Sequence, residues 1–126
     1  MSKVLYILMR SDMESLNPGK AMAQAAHAAN LFAENIDRRS SEYKEWINEG
    51  NGFGTTIVLD AYNDDLLNSI INDYKEKAPT GIVLDNTYPI LDGDVVHLLP
   101  VQTCGYIFID QEIAQLGLLQ YMELYP

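Results

Sequence analysis

The sequence is short of the residues that most often carry chemistry by themselves. It has one cysteine, Cys104, and two histidines, His27 and His97, in 126 residues. A single thiol cannot close an intramolecular disulfide, so the chain suits a reducing compartment and is expected to be cytoplasmic. Cys104 reads as a small strand residue rather than a nucleophile. Two distant histidines and one cysteine provide no zinc spacing, so no metal is expected. The patterns G-x-S-x-G and G-x-G-x-x-G do not occur, which removes the nucleophile elbow and the dinucleotide fingerprint. No apolar run approaches the roughly 20 residues needed to cross a bilayer. In the opening MSKVLYILMRSDMES, Arg10 and Asp12 follow the apolar stretch without a small-residue cleavage site, as in a first strand and not a secretory leader.

Cations are scarce as well. Eight Lys and Arg stand against eighteen Asp and Glu, a net charge of −10. Such a chain repels nucleic acid at long range, because non-specific phosphate binding is mostly electrostatic. A nucleic-acid ligand would need a local patch drawn from Lys3, Arg10, Lys20, Arg38, Arg39, Lys44, Lys75 and Lys77.

What is present is core-forming material. Hydrophobic residues make up 48%, with eight Tyr, three Phe and one Trp, enough for residues 1–126 to form a single domain without metal or disulfide staples. Lys3–Met9 is a continuous apolar run, expected to be a buried strand. After the turn closed by Pro18 and Gly19, the Ala-rich segment Lys20–Asn35 predicts a helix. Ser40 or Ser41 caps a second helix, Glu42–Glu49. Thr55–Asp60 is β-branched and predicts a strand. Asn63 caps Asp64–Lys77, whose Leu66, Leu67, Ile70, Ile71 and Tyr74 form one apolar stripe. Gly81–Asp85, Val95–Leu99 and Gly105–Ile109 are further strands, and Glu112–Leu124 a closing helix. Helices between the early strands imply crossovers. The expected fold is therefore three-layer α/β/α, with a mixed, mostly parallel sheet of about four strands and an added hairpin.

Two places could hold chemistry. Lys20, Gln24 and His27 recur at i, i+4 and i+7, within about 60° of one another on the first helix. Three polar groups on one stripe of an Ala-rich helix are not what a core face requires, although a stripe facing water has the same spacing. Pro18-Gly19 before Lys20 makes an anion-friendly helix start without the glycines of a phosphate loop. Asp85 ends a strand, where ligands of open α/β sheets commonly bind. A turn-forming Asp is the plain alternative, and Asp60 ends its strand in the same way.

Together these residues resemble the type-2 peptidyl-tRNA hydrolase family. That family opens with an apolar strand ending in Arg-x-Asp-Leu, and continues through Gly-Lys into a helix reading Lys-x-Ala-Ala-Gln-x-x-His-Ala. Here the matching residues are Arg10-Ser11-Asp12-Met13 and then Gly19-Lys20-Ala21-Met22-Ala23-Gln24-Ala25-Ala26-His27-Ala28. Trp46, Gly50 and the strand Thr55–Leu59 follow as in the family, and the third strand again ends in Asp. The resemblance implies hydrolysis of the ester joining a peptide, or an N-blocked amino acid, to tRNA, with no metal or other cofactor and with peptidyl-tRNA as the partner. It implies that Lys20 stabilises the oxyanion or binds the terminal phosphate, and that Asp85 positions Lys20 or activates water. A Thr would orient that water, while Gln24, His27, Arg10 and Thr87 would contact substrate.

The departure comes after Asp85. The family reads Asp-Ala-Gly-Arg-Thr there, and this chain reads Asp85-Asn86-Thr87-Tyr88-Pro89. The Arg and the Thr are absent at that spacing, though Thr87 lies nearby. Thr103 corresponds to the family's later Thr if a hairpin is inserted around Asp92–Leu99; if Val96 is the counterpart, both Thr are missing. Alternatives to an esterase are a catalytically silent relative that binds or regulates through the same cleft, and an unrelated small-molecule hydrolase. No membrane association is expected. The tail LGLLQYMELYP either packs internally or pairs two subunits as a homodimer.

Overall fold

The structure is a computed structural model and describes residues 2–126. Its elements are β1 (Lys3–Arg10), α1 (Pro18–Asn35), α2 (Ser41–Glu49), β2 (Thr56–Tyr62), α3 (Asp64–Tyr74), β3 (Thr80–Asp92), β4 (Val95–Asp110) and the short α4 (Gln111–Ala114), followed by a 3-10 turn at Leu118–Tyr121. The α/β class and the three layers are as the sequence implies. The apolar run Val4–Met9 is buried throughout because β1 lies inside the sheet with helices on both faces.

Residues on β1 alternate between two cores. Leu5, Ile7 and Met9 join Cys104, Tyr106 and Phe108 of β4 beneath Phe32 of α1 and Trp46 of α2. Tyr6 and Leu8 join Ile107 and Ile109 beneath Leu67, Ile70, Ile71 and Tyr74 of α3. Three side-chain caps set the helix starts. Asn17 accepts from the Lys20 amide at 3.0 Å, Ser40 from the Tyr43 amide at 3.2 Å and Asn63 from the Leu66 amide at 2.8 Å. The third helix stops at Tyr74, so Lys75 and Lys77 lie beyond its last turn.

The sheet order is β2-β1-β4-β3, with β1–β2 parallel and both β1–β4 and β3–β4 antiparallel. It is therefore mixed but not mostly parallel. Val95–Leu99 and Gly105–Ile109 belong to one strand, β4, which returns from β3 through Gly93 (φ 62°) and Asp94. A two-residue connection can only join antiparallel neighbours. The added hairpin is the outer half of this same pair, with Tyr88 opposite Leu99 and Leu91 opposite Val96, and residues 91–100 are all exposed. The closing helix is also corrected. After α4 and the 3-10 turn the chain runs extended along the edge of β2, where Asp60 N–H donates to the Glu123 carbonyl at 2.8 Å and Tyr125 N–H to the Val58 carbonyl at 3.0 Å. Backbone groups left open on that edge take these bonds in place of a helix.

Candidate active site

β1 and β3 point the same way, with β4 reversed between them, so α1 returns along the sheet from the carboxyl end of β1. Its buried stripe, Ala21, Gln24, Ala28 and Phe32, faces the strands. Small alanines let the helix approach closely, and they carry Gln24 into the protein at 5% exposure. There the Gln24 side-chain amide donates through Nε2 to Asp85 Oδ2 at 2.9 Å, and its Oε1 accepts from the Thr103 hydroxyl at 2.7 Å. An ionised carboxylate can only accept, so Asp85 dictates which end of the Gln24 amide faces it, and Thr103 must then be the donor. The register of β3 shifts between Asp85 and Tyr88. In that bulge the Thr87 amide donates to Asp85 Oδ1 at 3.0 Å, with the Thr87 hydroxyl at 3.5 Å, the edge of hydrogen-bond reach.

These donors hold the Asp85 carboxyl below the usual carboxylate range. The Gln24 amide contributes most, then the Thr87 amide, with the charge of His27 a smaller influence and desolvation opposing. Asp85 is thus an ionised, oriented acceptor at neutral pH. Asp85 does not end its strand, as the sequence suggested, but stands at a bulge within β3, which runs on to Asp92. Asp60, near the end of β2, serves the chain itself: it accepts from the Ser11 hydroxyl at 2.6 Å and from the Tyr62 amide at 2.8 Å, where Tyr62 has a φ of 63°. The structure distinguishes two aspartates that the sequence left equivalent.

Lys20 lies one helical turn before Gln24. Its ammonium sits 5.6 Å from the ring centroid of Tyr88 and has no carboxylate within 4.0 Å among the described residues. Lys20 therefore lies against β3, the strand that carries Asp85, without pairing with that carboxylate. Tyr88, buried and bonded to the Ser15 hydroxyl at 3.0 Å, is the seat of the lysine. No sequence pattern marks this tyrosine, which stands three residues beyond Asp85 in the segment that departs from the family. Arg10 is committed elsewhere. Asp12 takes its Nε and Nη2, both at 2.9 Å, and the Gln102 carbonyl its Nη1 at 3.0 Å. Arg38 and Arg39 follow the far end of α1, about 27 Å from its start at 1.5 Å per residue. Arg38 and Arg39 therefore build no basic patch around Lys20, while the charge of Arg10 is shared with Asp12.

The remaining candidates divide by exposure. Thr103 is fully buried and Gln24 nearly so, which places both behind Asp85. Thr87 and His27 are exposed and line, with Asp85, a groove of about 670 Å³ between α1 and β3. Cys104 is buried, donates to the Gln24 backbone carbonyl at 3.3 Å, and has its thiol pushed up by burial to about 11, so it packs rather than reacts. No cluster of metal-ligating side chains occurs among the described residues.

Fold and site define a small three-layer α/β protein whose cleft carries one anchored carboxylate, Asp85, with the Lys20 ammonium seated on Tyr88 further along the same strand. The chain belongs to the peptidyl-tRNA hydrolase PTH2 family, whose family model matches residues 3–89, more than two thirds of its length. The match spans β1 through Pro89 and leaves out the tip of the outer hairpin and all of β4. At family level this supports a peptidyl-tRNA hydrolase-like function. No curated protein matches the chain.

Proposed function

We propose that this protein hydrolyses the ester between a peptide, or an N-blocked amino acid, and the 3′ end of tRNA. Water adds to the ester carbonyl carbon, the bond from that carbon to the ribose oxygen breaks, and the ribose oxygen leaves with a proton as the hydroxyl. The products are the free peptide acid and tRNA. Asp85 accepts a hydrogen bond from the attacking water and turns a lone pair towards the carbonyl. Its depressed pKa makes it an orienting group and only a weak base. Thr87, whose hydroxyl is exposed beside Asp85, contacts the same water. Lys20 faces the oxyanion or the neighbouring phosphate, where a fixed charge stabilises the transition state most. Gln24 and Thr103 are positioning residues that fix Asp85.

The observation that carries this reading is the hydrogen bond from Gln24 to Asp85, both within the segment that matches the family, held from behind by Thr103 of β4, which lies beyond that segment. The test is turnover of an N-acetylaminoacyl-tRNA at low salt. The reading expects release of tRNA and loss of about 100-fold or more in rate on Lys20→Ala or Asp85→Asn. A folded wild-type protein without turnover would overturn it. That result would favour the second reading, a silent relative that binds through this cleft. The seat of Lys20 on Tyr88, away from Asp85, and the net charge of −10 speak for that alternative.

A further inference from the structure

Resting on the hydrolase reading, we infer that the substrate lies across Asp85 in one direction, with RNA towards Lys20 and the peptide running down the groove between α1 and the edge of β3. The groove descends from Asp85 and His27 past Asn30, Leu31 and Leu84 to Glu34. Glu34 and Asp85 are its acidic groups, His27 stands at the Asp85 end, and no Lys or Arg lines it. A phosphodiester is repelled there, whereas a neutral peptide is not. The opposite direction, one turn up the helix from Gln24, offers the unpaired Lys20 ammonium at the helix N-terminus, and anions are stabilised at such a terminus. The carboxylate that meets the ester stands between the two ends.

The wall opposite α1 is an edge strand. β3 pairs on one side only, with β4, and its other side borders the groove. An extended peptide can add to such an edge by main-chain hydrogen bonds, which recognise any sequence. Leu84, 52% exposed, and Leu31 give alternate side chains an apolar floor. From His27 to Glu34 the helix rises about 10 Å, the span of about three extended residues. The groove therefore recognises the three residues nearest the ester. Glu34, at its far end, favours a free amino group on a peptide of that length.

The experiment compares kcat/KM for peptidyl-tRNAs carrying one to six residues, with N-acetylated and free amino termini, alongside NMR titration with the tripeptide N-acetyl-Ala-Ala-Ala-amide. The expected result is a rise of about tenfold or more from one to three residues, followed by a plateau, with the tripeptide shifting the amides of Leu84 and Leu31. In Asn30→Trp, which fills the groove, the ratio of three-residue to one-residue substrate falls towards one. In Glu34→Lys the preference for a free amino terminus at three residues disappears. Hydrolysis that is indifferent to peptide length, or tripeptide shifts confined to the Lys20 side, overturns the inference and leaves the hydrolase reading intact. Absence of all hydrolysis with the tripeptide still bound in the groove overturns the hydrolase reading instead.

Discussion

Replacing Gln24 by leucine separates the two jobs of its side-chain amide. The substitution keeps most of the buried volume but removes the donor to Asp85 and the acceptor for Thr103. Thr103 is fully buried, so its hydroxyl loses its partner with no water to replace it, a cost of about 1–3 kcal/mol. Asp85 is only partly buried and regains solvent, so its loss is smaller than the about 1.5–3 kcal/mol typical of a hydrogen bond to a charged group. The sum is about 2–4 kcal/mol, or a fall in Tm of about 10 °C for a domain of this size. The double variant Q24L/T103V removes the orphaned hydroxyl and should recover about 1–2 kcal/mol, measured by urea denaturation. It does not restore Asp85. The carboxyl, followed by carbon-13 NMR titration, should titrate above its wild-type position in both variants, because the largest influence holding it down has gone. The sign for stability follows: a depressed native pKa contributes stability above the unfolded pKa, lost as pH falls through the native one. The acid limb of the wild-type stability curve should therefore flatten in both variants. An unchanged Asp85 titration in Q24L, or a double variant no more stable than the single, would refute the amide orientation assigned here.

Other consequences are open to direct measurement. The Cys104 thiol, raised to about 11 and bonded to the Gln24 carbonyl, should resist iodoacetamide at pH 8 in the native protein and react only on unfolding, as mass spectrometry would show. Gly54 has a φ of 77°, and a Cβ there would lie 2.3 Å from the ring of Trp46, so G54A should cost more than about 2 kcal/mol and alter the near-ultraviolet dichroism of the sole tryptophan. The ring of Tyr88 seats the Lys20 ammonium while its hydroxyl bonds Ser15. Y88L should therefore lose about 0.5–1 kcal/mol of cation–π attraction, several-fold in kcat/KM, beyond the loss in Y88F. Equal effects of Y88F and Y88L would show that the ring does not hold the lysine.

The sequence by itself determined the local elements and the residue types of the site. Period and capping are local properties. The stripe Lys20, Gln24, His27, the caps Ser40 and Asn63 and the doubly buried β1 all depend on spacing along the chain, so they were legible without coordinates. The tertiary structure decided what those residues touch. Only sheet order brings Thr103 of β4 and Asp85 of β3 to the two ends of one amide on α1, and only the bulge after Asp85 turns Thr87 back onto it. Asp60 and Asp85 look alike in sequence because both follow an Ile-Val-Leu run. They differ because the first is enclosed by its own turn and the second opens on a groove. Fusion of two expected strands into β4, and the extended tail in place of a closing helix, were likewise decided by edges and partners distant in the chain. A hydrogen-bond partner that arrives from 60 or 80 residues away leaves no trace in local periodicity.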